Sequence, residues 1–253
     1  MKVLITDATS GIGYEFASIY AKEKNNLILI ARDKNKLEDI KKDFETKYDI
    51  NVDIFIVDLS LPNLTKELIS NFNNQKIDIV INNAGIGEYG EFISNDIDKL
   101  TSMINLNITS LTQITHYFAN IMAKNGGGKI LNIASTAAFQ PVPTFAVYSA
   151  TKSYVLSFSE AINYELKDKG VYVGVLCPGP TTTNFDKNAN ASQVKHLTKG
   201  TMSSDEVAQA GIKQLENRKM TLVVGFKNQL LAFASSINPF RKLTLIISAI
   251  IMK

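Results

Sequence analysis

Tyr148 and Lys152 lie four residues apart in the stretch Tyr148-Ser149-Ala150-Thr151-Lys152, a spacing that puts both on one face of a helix. A phenol titrates near ~10, too weak an acid to exchange protons well near neutrality. A fixed ammonium beside it favours the phenolate and brings that value down. So paired, Tyr148 is equipped to give a proton to a carbonyl oxygen receiving hydride, or to take one from an alcohol. On a solvated helix face, the same pair is two ordinary surface residues. Ser135 follows the apolar run Ile130–Ile133, where a hydroxyl suits hydrogen bonding to the reacting oxygen. Asn107 sits in a helical stretch dense in Thr, Ser and Asn (Thr101–Thr115), as an internal hydrogen-bonding strut or as part of a proton path.

A second set of residues suits a nucleotide. In Val3-Leu4-Ile5-Thr6-Asp7-Ala8-Thr9-Ser10-Gly11-Ile12-Gly13 an apolar run ends in a glycine-bearing polar turn, and a helical pattern follows. The exposed N–H groups of a helix start favour an anion, and glycines let the phosphate approach the backbone. A tight turn without a ligand would look similar. The next apolar run, Leu27–Ile30, ends in Ala31-Arg32-Asp33. In a dinucleotide fold an acid at this place binds the ribose 2′-hydroxyl and an arginine accommodates a 2′-phosphate. Ala31 leaves the acidic place empty and Arg32 supplies the cation, while Asp33 suits a helix cap, which favours NADP(H) over NAD(H). Asp58-Leu59 ends a third run, where the carboxylate suits an adenine amino group or a helix cap. Asn82-Asn83-Ala84-Gly85 ends a fourth, where small residues suit a backbone passing close to a ligand or a plain turn. Pro178-Gly179 and Thr183 follow a sixth, placed for a nicotinamide amide.

The elements that position these residues read as alternating strands and helices. Strand-like runs are Val3–Ile5, Leu27–Ile30, Val52–Val57, Ile77–Ile81, Ile130–Ile133, Val171–Leu176 and the weaker Leu222–Val224. Most are near-continuously apolar, as parallel strands covered on both faces require. Helical patterns span Ile12–Lys24, Asn35–Lys47, Leu64–Phe72, Asp96–Lys124, Val147–Lys169 and Asp205–Asn217. The order implies an α/β Rossmann-type, doubly wound, seven-stranded and mostly parallel sheet with helices on both faces, a three-layer α/β/α domain. No repeat or linker divides the 253 residues, so one domain over 1–253 is expected. Asp33 or Asn35, and Ser203 or Ser204, stand where helix caps belong. Asn184–Gly200 is polar and reads as a loop with at most a short helix.

Composition narrows the classes. Hydrophobic residues make up 45% and charged residues 20%, ordinary for a globular protein. Lysine and arginine number 27 against 24 acids and are spread along the chain, which argues against nucleic acid. One cysteine, Cys177, allows no intrachain disulfide, and with no signal-like segment at the start a cytoplasmic setting is expected. No metal-ligand cluster stands out. No window reaches the ~20 apolar residues that span a bilayer.

Taken in order, Thr6–Gly13, Asn82–Gly85, Asn107, Ser135, Tyr148 with Lys152, and Pro178-Gly179 resemble the short-chain dehydrogenase/reductase family, over roughly three-quarters of the chain. The resemblance implies hydride transfer between a nicotinamide and a carbonyl or secondary alcohol, without a metal. It implies Tyr148 as general acid/base and Lys152 as the group that lowers its pKa and holds the nicotinamide ribose. It further implies Ser135 steadying the substrate oxygen, Asn107 holding a water that links Lys152 to solvent, and Thr183 at the carboxamide. A homodimer or homotetramer is the family default. Asp7 departs from the pattern, which has glycine there. Aspartate tolerates positive φ better than most residues, but at an assumed ~6 Å a carboxylate–phosphate repulsion is on the order of 1–3 kcal/mol. That charge is the ground for an alternative reading, a non-catalytic nucleotide-binding or regulatory protein on the same scaffold. Phe139, Val142, Pro143, Phe145 and Phe185 are expected to wall an apolar substrate site under the 184–200 loop. The stretch 226–253 is apolar and basic with no acid, and is expected to pack on the domain or on a second subunit, or else to touch a membrane surface.

Overall fold

The computed structural model describes residues 1–72, 75–194 and 201–251. Seven strands form one sheet: β1 (Lys2–Thr6), β2 (Asn26–Ala31), β3 (Val52–Ile56), β4 (Ile79–Asn82), β5 (Gly128–Ile133), β6 (Val171–Cys177) and, last in the chain, β9 (Thr221–Val223). Their spatial order is β3-β2-β1-β4-β5-β6-β9, and every pair is parallel. The chain winds outward from β1 to β3, returns, and winds the other way from β4. The crevice at which the order reverses therefore lies at the C-terminal ends of β1 and β4, where open sheets bind ligands.

Successive side chains of a strand face opposite sides, and here both sides are covered. Val3, Ile5, Leu27 and Leu29 pack with Phe16 and Ala17 of α1 (Gly11–Lys22), with Phe44 of α2 (Lys34–Tyr48) and with Val207 of a later helix. Leu4, Ile28, Ile30 and Ile130 face the other way, onto Leu68 of α3 (Leu64–Ser70) and Phe118 of α5 (Leu111–Lys124). This is the expected three-layer arrangement, with every sheet pair parallel.

The single helix expected over Asp96–Lys124 is three segments. Between α4 (Ile97–Ile104) and α5 lies a π-turn, Asn105–Ser110. Such turns concentrate at functional sites, and this one carries Asn107. The helix α6 (Ala146–Leu166) bears Tyr148 and Lys152, and α7 (Phe185–Asn188) is a single turn in the expected loop. Residues 195–200 of that loop lie outside the described residues. Two short strands, β7 (Thr181–Thr182) and β8 (Met202–Ser203), pair with each other. Helix α8 (Ser204–Asn217) starts with a capping box in which Ser203 and Glu206 satisfy each other's backbone. The segment after β9 forms two helices, α9 (Phe226–Ile237) and α10 (Arg241–Ile251).

Candidate active site

One cavity of about 960 Å³ runs along the C-terminal edge of the sheet, large enough for a sizeable ligand. Thr9, Ser10, Gly11, Ile12, Arg32, Asn83, Gly85, Ser135, Val142, Phe145, Tyr148, Lys152, Pro178, Gly179, Thr183 and Phe185 all line it. Residues as far apart in sequence as Thr9 and Phe185 thus meet because strands β1, β2, β4, β5 and β6 all end at the same edge.

At the β1 end the backbone is built for close approach. Gly11 has φ +55, and a Cβ on Gly13 would stand 2.2 Å from the Asp7 carbonyl oxygen and 2.6 Å from Asn83 Nδ2. The side chain of Ser10 does not cap α1, so the positive helix start is left facing the cavity. Thr6, Gly13 and Ala84 are absent from the lining and brace the turn from behind. The Thr6 hydroxyl accepts from Asn83 N (3.0 Å) and Ala84 N (2.9 Å), and Asn83 Nδ2 donates to Thr6 O at 3.2 Å. We expect Gly13→Ala to lower stability by about 1–3 kcal/mol, because the new methyl meets backbone that cannot yield. Chemical denaturation checks this, and an unchanged midpoint with an unchanged slope would count against it.

Asp7 adopts φ 55, the left-handed conformation that the turn demands, and its N–H donates to Ile30 O at 2.7 Å. Its side chain lines the cavity. Although the residue as a whole is exposed, the protein around the carboxyl holds it above the usual range by desolvation, and the Arg32 charge opposes that shift.

At the end of β2, Arg32 is exposed and its guanidinium stands 3.7 Å from Asp58 Oδ2. Asp58 does not cap α3, which is entered through Asn63, and its Oδ1 accepts from Ser60 N (2.9 Å) and Ser60 Oγ (2.6 Å). Burial pushes the Asp58 carboxyl up, but the Ser60 hydrogen bonds and Arg32 outweigh it and hold the group low. Leu59 is buried in the core, and its carbonyl accepts from the Ser110 hydroxyl. Lys36 also lines the cavity beside Arg32 and Asp33. It was not among the expected site residues although it stands four residues after Arg32, in the first turn of α2.

At the other end, Tyr148 lies between two rings, with centroids 5.5 Å from Phe145 and 5.2 Å from Phe185. That burial pushes its phenol up to about 12, against a hydrogen bond with Ser135 that lowers it. The expected depression by Lys152 is not found. Lys152 Nζ stands 5.8 Å from the Tyr148 ring centroid and donates to Ile133 O at 2.9 Å. Lys152 is itself buried, which pulls its ammonium down to about 8. Asn107 is a strut: its Oδ1 accepts from Ile86 N (3.0 Å), and its Nδ2 donates to Ile86 O (2.9 Å) and Thr151 Oγ1 (3.0 Å). Those bonds use both amide hydrogens and tie the π-turn to the loop after β4 and to the Tyr148–Lys152 helix.

Two residues expected in the substrate wall are not there. Phe139 packs on Leu111, Ala134, Val155 and Cys177, away from the cavity, because the short helical turn after Ser135 points it back at α6. Pro143 is also absent from the lining. Their places are taken by residues that the sequence reading missed: Leu231 and Ser235 of α9, and Thr244, Ile247 and Ser248 of α10. No group of His, Cys, Asp or Glu among the described residues suits a metal.

The family model described as short chain dehydrogenase matches residues 1–194. A very-long-chain 3-oxoacyl-CoA reductase of Danio rerio is 33% identical over 188 residues, 73% of this chain and 60% of that protein. The chain thus spans about 60% of the length of that relative. A short-chain dehydrogenase from Sphingobium yanoikuyae, solved in complex with NADPH, superposes with a TM-score of 0.84 at 29% identity, covering 93% of this chain and 92% of that one. A bulky-bulky ketone specific alcohol dehydrogenase from Comamonas testosteroni gives 0.79 at 27%, covering 94% and 95%.

Proposed function

Since this chain belongs to the short chain dehydrogenase family, we propose that it is an NADP(H)-dependent oxidoreductase interconverting an apolar carbonyl compound and its secondary alcohol, with Tyr148 as general acid/base. The observation that carries the reading is the placement of Tyr148, Ser135 and Lys152 in one cavity with the glycine-built helix start.

The cradle fits a dinucleotide by its own chemistry: a helix start with its cap side chain disengaged, glycines whose Cβ atoms would meet backbone or Thr183, and two cations at the β2 edge. Thr9, Ser10, Gly11 and Ile12 would hold the diphosphate, Arg32 and Lys36 the 2′-phosphate, and Asn83, Pro178, Gly179 and Thr183 the nicotinamide half. Bound NADPH supplies the hydride. Ser135 orients the carbonyl oxygen toward Tyr148. A phenol held near 12 keeps its proton at every physiological pH and gives it readily to an alkoxide, a far stronger base. The arrangement thus suits reduction. As Tyr148 becomes phenolate, the ammonium of Lys152 offsets the charge in a setting where water offers little screening. Asn107 holds the Ile86 backbone and Thr151, and so fixes how α6 presents the pair.

Val142, Phe145 and Phe185 make the wall beside Tyr148 apolar, which supports an apolar substrate. The names of two relatives, a 3-oxoacyl-CoA reductase and a bulky-ketone dehydrogenase, indicate the panel to try: 3-oxoacyl thioesters of increasing length and bulky aryl ketones, each with NADPH. NADPH oxidation with any of them supports the reading. Cofactor binding without turnover across both classes would overturn it in favour of a nucleotide-binding role, the reading that Asp7 alone motivates.

The pH profile carries a second check. Lys152 is charged below about pH 8 and loses its proton above, while Tyr148 stays protonated. We expect kcat/KM for reduction to be flat on the acid side and to fall as pH rises through about 8. A rate that rises through that range would remove Lys152 from this role.

A further inference from the structure

Helices α9 and α10 are amphipathic in the inverted sense. In α10 the residues turned inward are hydroxyls: Thr244 and Ser248, four apart, are buried and line the cavity. Ser248 Oγ is buried and has no hydrogen-bond partner among the described residues. The outward residues are apolar, among them Leu245, Ile246 and Ile250, and α9 with its connector adds Phe233, Ile237 and Phe240. About half of the large exposed apolar side chains of the described residues fall between Phe226 and Ile250, a tenth of the chain. Contiguous exposed apolar surface of this kind marks an interaction site.

Charge decides what covers it. Lys227, Arg241 and Lys242 stand on the same two helices and are exposed, none forms an ion pair with a described residue, and residues 226–253 contain no acid. In a two-fold contact the same patch meets itself, which would set these cations against their copies with no carboxylate between them. An anionic bilayer surface offers what a second copy lacks, negative charge at the rim and hydrocarbon beneath. At 11 residues, α10 is about 16 Å long, half of the ~30 Å hydrocarbon core. No helix among the described residues is long and apolar enough to cross a membrane.

We propose that the outer face of α9 and α10 seats the protein on anionic lipid surface, with both helices lying in the interface. Leu231 and Ile247 belong both to the exposed face and to the cavity lining, so the docked face and the cavity share an edge. The seating is independent of the catalytic reading, and its test needs no turnover.

The test is co-sedimentation of the full chain with phosphatidylcholine vesicles, with and without phosphatidylserine, alongside its mass in solution. Expected are pelleting with the anionic vesicles, a fall at high salt, and at least a tenfold loss of affinity in R241E/K242E. I246S/F240S separates the apolar contribution and should lose binding while folding normally by circular dichroism. Binding that ignores phosphatidylserine or R241E/K242E would overturn the proposal. So would the absence of pelleting, or a solution mass that falls in I246S/F240S, which would give the face to a second copy.

Discussion

Replacing Tyr148 by phenylalanine is expected to cut turnover by about 10²–10⁴, the range of a positioned acid, or about 3–5 kcal/mol of barrier. NADPH affinity and folding should change little. The reason lies in how the ring is held. Phe145 and Phe185 stand against it at centroid distances of 5.5 and 5.2 Å, and phenylalanine keeps that packing while removing only the hydroxyl. Ser135 retains its bond from Ala137 N at 3.1 Å, so the floor of the site stays in place. Single-turnover measurements with saturating NADPH isolate the chemical step from cofactor binding. A variant with undiminished turnover would mean that the proton comes from elsewhere, and Tyr148 would be reduced to a wall residue.

The same two phenylalanines mark the limit of what sequence carried. Spacing alone placed Tyr148 and Lys152 on one helical face, and strand ends placed Ser135, Asn83 and Gly85 at one sheet edge, because period and topology are local and repetitive. Charge in a pocket is neither. The phenol's upward shift arises from rings that arrive from before α6 and from the loop after β6, so the expectation of a lowered pKa failed for want of tertiary contacts. The π-turn at Asn105–Ser110 is legible only as an unusually polar helical stretch. One extra residue in a turn leaves no periodic trace. Helices α9 and α10 read as an apolar tail, since composition says that a segment is buried or exposed on one side but not which side faces a cavity. Thr244 and Ser248 were the available signal: two hydroxyls four apart in an otherwise apolar run share a face.

Asp7→Gly is expected to tighten NADPH binding by about ten- to hundredfold near pH 8, while turnover at saturating cofactor changes little. The turn already accepts Asp7 at φ 55, so the backbone is not what the substitution repairs, although glycine relieves some left-handed strain. What changes is a carboxylate in the lining of the cavity that holds the helix start. Facing a phosphate at about 6 Å it costs on the order of 1–3 kcal/mol, less whatever the Arg32 charge recovers. The folded protein already raises this carboxyl above its ordinary value, and the sign of the pH dependence follows. Protonation removes the repulsion, so the advantage of the glycine variant should shrink as pH falls through the raised pKa and grow as pH rises above it. Stability in the absence of cofactor should behave alike. A carboxyl whose pKa is raised on folding disfavours the folded state once it ionises, and the glycine variant should gain most on the alkaline side of that pKa. Asp7→Asn keeps a side chain suited to positive φ and removes only the charge. It should recover most of the affinity gain if electrostatics is the cause, and little if the turn's shape is. NADPH titrations of the three proteins at pH 5.5 and 8 separate these. Equal or weaker affinity in both variants would show that Asp7 is accommodated by the bound dinucleotide.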